Sequence, residues 1–385
     1  MNYRELGNTG MKVSEIGLGC EHLENQNYEV IESVIDAALA GGINIMDVFM
    51  SQPQVRTDIG KALEGRREQV ILQGHIGSRW KDGQYGRSRE LGECKFFFED
   101  FLTRMRTDYV DIGMFHCVDT KADSDKIFDN APLINYALSL KKQGIIKALG
   151  ISTHDPVCGL RAVNSGIIDV IMFSINPAYD LLPENLENTR QLFDLETYRK
   201  NTLNGINPVR EEFYRACETK GIGLTVMKSM GAGALLNAKS SPFGIALTPA
   251  QCIHYSLTRP AVSSVLVGVH NAQEIKEAIG YEEMTEEEKD YSAVLTAKPA
   301  FSLRGKCMYC NHCLPCPSHI DIAQVNKYLD LAKMNEDVPP TVKEHYTALE
   351  HTASECIGCH SCERNCPFGV AVTENMKQAV AVFGK

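Results

Sequence analysis

Eight of the fourteen cysteines fall between Cys307 and Cys366, in two runs that each end in Cys-Pro. The second run is Cys356-x2-Cys359-x2-Cys362-x3-Cys366-Pro367. The first is Cys307-x2-Cys310-x2-Cys313-x2-Cys316-Pro317, one residue shorter before its last cysteine. Three thiolates on one tight loop reach three irons of a cubane, and the cysteine before proline turns away to the other cluster. The spacing therefore predicts two [4Fe-4S] clusters with crossed ligands. Cys307, Cys310, Cys313 and Cys366 hold one, and Cys356, Cys359, Cys362 and Cys316 hold the other. Paired zinc sites are the alternative, since zinc also uses CxxC, but zinc ribbons rarely string four cysteines this way before a proline, twice. His312 and His360, inside the runs, read as loop residues.

A second set of reactive side chains is Asp47, His75 and His116. What must position them is a series of short apolar runs at 13–20, 43–49, 70–77, 109–116, 146–152, 168–176, 222–228 and 263–269. Segments with helical spacing lie between. In 27–40, Val30, Ile31, Val34, Ile35 and Ala38 share a face, and in 95–106 so do Phe97, Phe98, Phe101, Leu102 and Met105. Thr248-Pro249 reads as a helix start, and Asn271 as a cap. Eight such strand–helix units predict an α/β fold, a (β/α)8 TIM barrel, better than a doubly wound open sheet. Asp47, His75 and His116 then end strands two, three and four, at the barrel face where catalytic groups gather. The loop 80–90 brings Tyr85, Arg87 and Arg89 toward the same mouth as candidate substrate contacts. The long loop 178–208 belongs to that face too. Cys20 and Cys117 adjoin the site and read as inert thiols.

The chain of 385 residues is long for one domain and natural for two. The expected division is a barrel over 1–280, a linker with a short helix over 281–303, and a small, mainly helical ferredoxin-like domain over 304–385. In the last, a helix is expected over 320–334, a break at Pro339-Pro340 and a final helix over 374–382. A net charge of −10 argues against nucleic acid as a partner. No apolar stretch approaches the roughly 20 residues of a membrane span. The opening MNYRELGNTG lacks the apolar core of a signal peptide, so a cytoplasmic protein is expected.

The barrel resembles the aldo-keto reductases, and the whole chain resembles their subgroup with a C-terminal ferredoxin-like domain. The resemblance rests on YRELGNTGMKVSEIGLGC (3–20), DVFMSQPQVRTDIGKAL (47–63), GISTH (150–154), NPAYD (176–180), MKSMGAG (227–233) and VSSVLVGV (262–269). Such enzymes move a hydride between NAD(P)H and a carbonyl, with a tyrosine donor tuned by lysine, aspartate and histidine. The resemblance implies Asp47 and His116 as that aspartate and histidine. The tyrosine position holds Gln52 and the lysine position His75. A glutamine cannot give up a proton at neutral pH, whereas an imidazole can. The nicotinamide positions carry Thr153 for asparagine and Met172 for glutamine, and Glu274 stands where an arginine meets the 2′-phosphate. Ser152, Thr153 and the loop with Lys228, Ser229, Gly231 and Gly233 remain compatible with a dinucleotide, so the resemblance implies NAD(H) in preference to NADPH.

Four-iron clusters pass single electrons and nicotinamide passes hydride, so the two normally communicate through flavin, which the sequence leaves open. Three readings follow. The first is an iron–sulfur oxidoreductase acting on a small polar hydroxy or carbonyl compound, with His75 and His116 as acid and base. The second is a lyase, dehydratase or isomerase using the same histidines without net redox. The third is an electron carrier on a decayed barrel. A ferredoxin or other redox partner fits the cysteine domain. Two histidines with unequal carboxylate contact are expected to titrate apart, both near neutrality.

Overall fold

The computed structural model describes residues 1–129, 131–181, 205–296, 305–334 and 337–385. They pack as two units. The first comprises Met1–Ser174, Ile222–Ser229 and Val262–Glu283. It opens with a hairpin of β1 (Tyr3–Glu5) and β2 (Lys12–Ser14). The barrel strands follow: β3 (Ile16–Gly19), β4 (Ile45–Val48) and β5 (Ile71–Ile76). A second hairpin, β6 (Ser78–Lys81) and β7 (Gln84–Arg87), comes next. Then come β8 (Val110–Phe115), β9 (Ile146–Thr153), β10 (Val170–Ser174), β11 (Gly223–Met227) and β12 (Val262–Gly268). The order β3-β4-β5-β8-β9-β10-β11-β12 closes when β12 pairs in parallel with β3. The (β/α)8 barrel read from the sequence is present.

Parallel strands covered on both faces need near-continuous apolar runs, which is why these stretches were legible. Their inward side chains include Ile45, Ile112, Met114, Ala148, Val170, Met172 and Leu266, with Leu6 and Val13 from the first hairpin packed among them. The run 13–20 is two strands, not one. Glu15, between them, accepts a hydrogen bond from Arg4 Nε at 2.5 Å.

Helix Tyr28–Ala40 is capped by Asn27, whose Oδ1 accepts from the Val30 N–H at 2.9 Å, and it buries Ile31, Val34, Ile35 and Ala38. The helix expected over 95–106 is Leu91–Arg104, starting four residues earlier and burying Phe98 and Phe101. The segment 80–90 departs from a plain loop. Asp82 and Gly83, at φ 54° and 74°, make the tight turn of the β6–β7 hairpin. Most of the long loop 178–208, namely 182–204, lies outside the described residues.

The second unit comprises Ile175–Gly221, Met230–Ala261 and Met284–Lys385. It holds helices Pro177–Asp180, Pro208–Lys220 and Pro249–Leu257, the last with a Thr248–Gln251 capping box. Its hub is the buried Asp180 carboxylate, which accepts from Arg210 Nε at 2.7 Å, Tyr214 Oη at 2.6 Å and Tyr255 Oη at 2.8 Å. The C-terminal part is helical, with Ile322–Lys333, Pro340–Thr347, Ser361–Asn365 and Val372–Phe383. Pro340 opens a helix here, with its missing N–H at a position that needs none. Tyr346 stacks on Phe383 at 3.9 Å between ring centroids. Among the described residues no helix is long and apolar enough to cross a membrane.

Two glycines on neighbouring helices predict opposite effects. A Cβ at Gly60 would lie 2.3 Å from the Arg104 carbonyl oxygen and 2.6 Å from Met105 Cα, both backbone atoms. Gly60→Ala should destabilise the barrel by about 1–3 kcal/mol. Gly92 has nothing within 4 Å of such a Cβ, so Gly92→Ala should stabilise it by up to about 1 kcal/mol. Denaturation midpoints of the two variants check the sign of each.

Candidate functional site

Asp47 near the end of β4, His75 near the end of β5 and His116 just after β8 come together at the C-terminal ends of adjacent strands. They are 1%, 2% and 5% exposed. Their side chains form one hydrogen-bonded series. Asp47 Oδ1 meets His75 Nε2 at 2.8 Å, and His75 Nδ1 meets His116 Nδ1 at 2.9 Å. His116 Nε2 in turn meets the Tyr85 hydroxyl at 2.5 Å. Gln73 Nε2 also donates to Asp47 Oδ1 at 2.9 Å, and its other contact is the Met172 sulfur at 3.8 Å. Phe49 stacks on His116 at 5.5 Å, with its edge contacts to His75 and Tyr85 at 6.1 and 6.3 Å.

The hairpin carrying Tyr85 is tied down at several points. Ser51 Oγ donates to the Arg79 carbonyl at 2.6 Å. Arg89, buried rather than loop-exposed, donates to the His116 carbonyl at 2.7 Å and the Cys117 carbonyl at 3.1 Å. Arg87 Nη1 reaches the Cys117 carbonyl at 3.0 Å and Sγ at 3.2 Å. Cys117 takes a left-handed conformation at φ 50°, and its N–H donates to Ser152 Oγ at 2.7 Å.

These surroundings set the charges. Burial, then His75, Arg89 and Arg87, push the His116 imidazole well below its ordinary value, so it is neutral at physiological pH. The expectation of two histidines near neutrality fails for this one, because its ring is buried and Arg89 and Arg87 lie near it. Burial and Cys117 push the Tyr85 phenol up to about 12. Burial and Asp119 push the Cys117 thiol up to about 12, and burial with Asp47 keeps the Cys20 thiol protonated. Both cysteines fit the inert reading.

Gln52, at the position where the resembling family carries its tyrosine, is spent on structure. Its Oε1 accepts from the Val55 N–H at 2.7 Å and caps helix Pro53–Ala62. Thr153 Oγ1 donates to the Val118 carbonyl at 2.6 Å. Lys228 Nζ lies 3.5 Å from Glu21, and Ser229 is buried in the same unit. Gly231 and Gly233, in the other unit, have φ of 59° and 85°. Glu274 lies in the first turn of helix Ala272–Ile279 and accepts from the His270 N–H at 2.8 Å and Asn271 Nδ2 at 3.1 Å. Against partial burial, these bonds hold its carboxyl below the usual value. An anionic carboxylate is a poor fit for a 2′-phosphate, and an engaged threonine and a methionine fit a nicotinamide amide thinly.

The eight cysteines from Cys307 to Cys366 line two cavities in the crossed pattern. Cys307, Cys310, Cys313 and Cys366 surround one of ≈ 320 Å³, with Pro367 and Phe368. Cys316, Cys356, Cys359 and Cys362 surround the other, of ≈ 370 Å³, with Pro317 and Val372. Four thiols around each space suit a four-iron cluster. His312 turns to Asp290, and His360 Nδ1 lies 2.8 Å from Glu363, so each has a carboxylate partner.

The sequence model of the Aldo/keto reductase family matches residues 15–297. The chain belongs to that family. The 4Fe-4S dicluster domain matches residues 306–371 of this aldo/keto reductase, so the cysteine-rich segment is an iron–sulfur domain. Among curated relatives, an uncharacterized oxidoreductase of Bacillus subtilis, YqkF, is 27% identical over 301 residues, spanning 75% of this chain and 94% of its own. L-galactose dehydrogenase of Arabidopsis thaliana is 28% identical over 297 residues, spanning 72% and 86%. Aldo-keto reductase AKR11C1 from Bacillus halodurans, in its holo form, superposes with a TM-score of 0.60 at 22% identity, covering 78% of this chain and 97% of that one. That likeness concerns the fold.

Sequence reasoning placed Tyr85 near the mouth as a candidate substrate contact, and as the proton-transfer group next in line after His75, but it did not pick out Phe49 or Gln73. The Asp82-Gly83 pair was the available signal for a hairpin that turns Tyr85 back toward the barrel. The crossed cavities predict a selective loss. Cys316→Ser should remove the cluster served by Cys356, Cys359 and Cys362 and spare the other, lowering iron from about eight to about four per chain. Anaerobic iron and sulfide analysis with EPR of the reduced protein checks this.

Proposed function

We propose that this aldo/keto reductase is an iron–sulfur oxidoreductase acting on a small polar hydroxy or carbonyl compound, with His75 and His116 as its acid–base pair. The observation that carries the reading is the buried series from Asp47 through His75 to His116, in a chain that also holds two four-cysteine cavities. When bound, the two [4Fe-4S] clusters supply single electrons. Their proposed ligands are the two crossed sets of four cysteines. The division of labour follows the expected domains: 1–280 for the substrate, 281–303 as linker and 304–385 for the clusters, with a ferredoxin-type partner as electron source.

The chain's own residues handle the proton. Asp47 fixes the His75 ring through Nε2, and its charge offsets an imidazolium there. His116, kept neutral by burial and by the arginines, passes a proton rather than storing one. Arg87 and Gln52 are proposed to face the substrate's polar groups, with Tyr85. Ser152, Thr153, Lys228, Ser229, Gly231 and Gly233 are the positions proposed for NAD(H), and Glu274 disfavours NADPH; a flavin is the other carrier the reading admits. Because the imidazole pair needs no hydride donor, a lyase or isomerase without net redox is the second reading.

Anaerobic purification followed by cofactor extraction and mass analysis separates these readings. Turnover is then measured on a panel of small polar aldehydes and ketones with NADH, NADPH and reduced viologen, and of alcohols with NAD+, NADP+ and oxidised viologen. Electron-dependent turnover, stronger with NADH than with NADPH, is expected. Conversion of a substrate with neither an electron donor nor an electron acceptor present would replace the first reading by the second. His75→Gln should lower kcat by about a hundredfold or more, with cluster content unchanged.

A further inference from the structure

We propose that Tyr85 is the outlet of this series: its phenol exchanges the proton with the substrate oxygen, and His75 recharges it through His116. The proposal rests on the acid–base reading above and names the group that meets the substrate. Among the described residues, each ring nitrogen of the pair is occupied. His75 uses Nε2 for Asp47 and Nδ1 for His116, and His116 uses Nε2 for Tyr85. Both rings are buried, whereas Tyr85 is 48% exposed. A phenol has one donor and two acceptor sites, so its contact with His116 leaves capacity for a second partner. Phe49, stacked on His116, closes the ring face.

The hydrogen bonds admit two consistent states. With His75 neutral, Tyr85 donates to His116 Nε2, His116 Nδ1–H donates to His75 Nδ1, and His75 Nε2–H donates to Asp47. With His75 as imidazolium, Nε2–H still faces Asp47, while Nδ1–H donates to His116 Nδ1. His116 Nε2–H then donates to the Tyr85 oxygen, which frees the phenol O–H to point outward. Delivery moves one proton. The Tyr85 O–H bond breaks as an O–H bond forms on the substrate oxygen, whose lone pair accepts it. The His116 Nε2 proton passes to Tyr85, the His75 Nδ1 proton passes to His116, and the imidazolium returns to imidazole. No electron moves in this step.

The charged and titratable groups around the series are Asp47 at His75, Arg87, Arg89 and Asp119 at His116, and Cys117, Arg87, Asp119 and Glu21 at Tyr85. Burial first, and then their balance, keep His116 neutral, which a relay requires of its middle member. A tyrosine that merely shields the ring would satisfy none of this coupling.

The test uses the full, cluster-loaded chain labelled with ¹⁵N-histidine, compared with Tyr85→Phe and His75→Gln. Ring-nitrogen shifts are followed from about pH 5 to about pH 9. In the native chain the His116 proton should move from Nδ1 to Nε2 as His75 takes up its proton. In Tyr85→Phe that change of tautomer should be lost, because the line of donors running from His75 through His116 would no longer end on an acceptor. A His116 tautomer that never changes, or a transition that Tyr85→Phe leaves in place, overturns the proposal. On the substrate that the panel yields, Tyr85→Phe should also lower kcat about a hundredfold with KM little changed. Full turnover by Tyr85→Phe with loss in His75→Gln would remove Tyr85 and leave the acid–base reading standing. Full turnover by both would remove the reading itself.

Discussion

Two imidazole nitrogens that meet at 2.9 Å can hold one proton between them and not two. That contact, His75 Nδ1 to His116 Nδ1, orders everything around it. It forces each ring to present its other nitrogen elsewhere, one to the Asp47 carboxylate and one to the Tyr85 phenol. It requires that only one ring be charged at a time. Asp47 lies against His75, and Arg87 and Arg89 lie on the His116 side, so the favourable place for that charge is His75. The barrel supplies the geometry, since β5 and β8 are neighbours and their register sets His75 opposite Met114, two residues before His116.

On the proposed reading, imidazoles stand in this site for the tyrosine–lysine pair that the family carries at the same strand ends. The exchange has a local physical reason. Gln52 stands where that tyrosine would be, and there it caps a helix. A phenol returns from a different direction, on a hairpin turned by Asp82-Gly83 and anchored by Arg89 to the backbone of His116 itself. The position of Tyr85 is therefore coupled to the position of the ring it contacts.

Much of this was legible in the sequence, for reasons that can be stated residue by residue. Fully buried parallel strands need unbroken apolar runs, and each of the eight runs coincides with a barrel strand to within a few residues at its ends. Asp47, His75 and His116 could be placed because strand ends are readable and adjacent strands bring their ends together. The crossed cysteine sets could be read because their spacing and terminal prolines are short-range features. Tyr85 was only half legible. Its contact with His116 spans 31 residues and depends on the hairpin's tilt, which no local pattern records. The depressed His116 imidazole was not legible at all, since it arises from burial and from arginines that tertiary structure alone brings near.

Asp47, His75 and His116 are proposed to act as one unit and not as three contributors. A double-mutant cycle measures this directly: kcat of the cluster-loaded enzyme for Asp47→Asn, for His116→Gln and for the pair together. Groups that work as a unit are strongly non-additive, so the double variant should be no slower than the worse single variant by more than about threefold. A double variant whose loss equals the product of the two single losses would contradict the account.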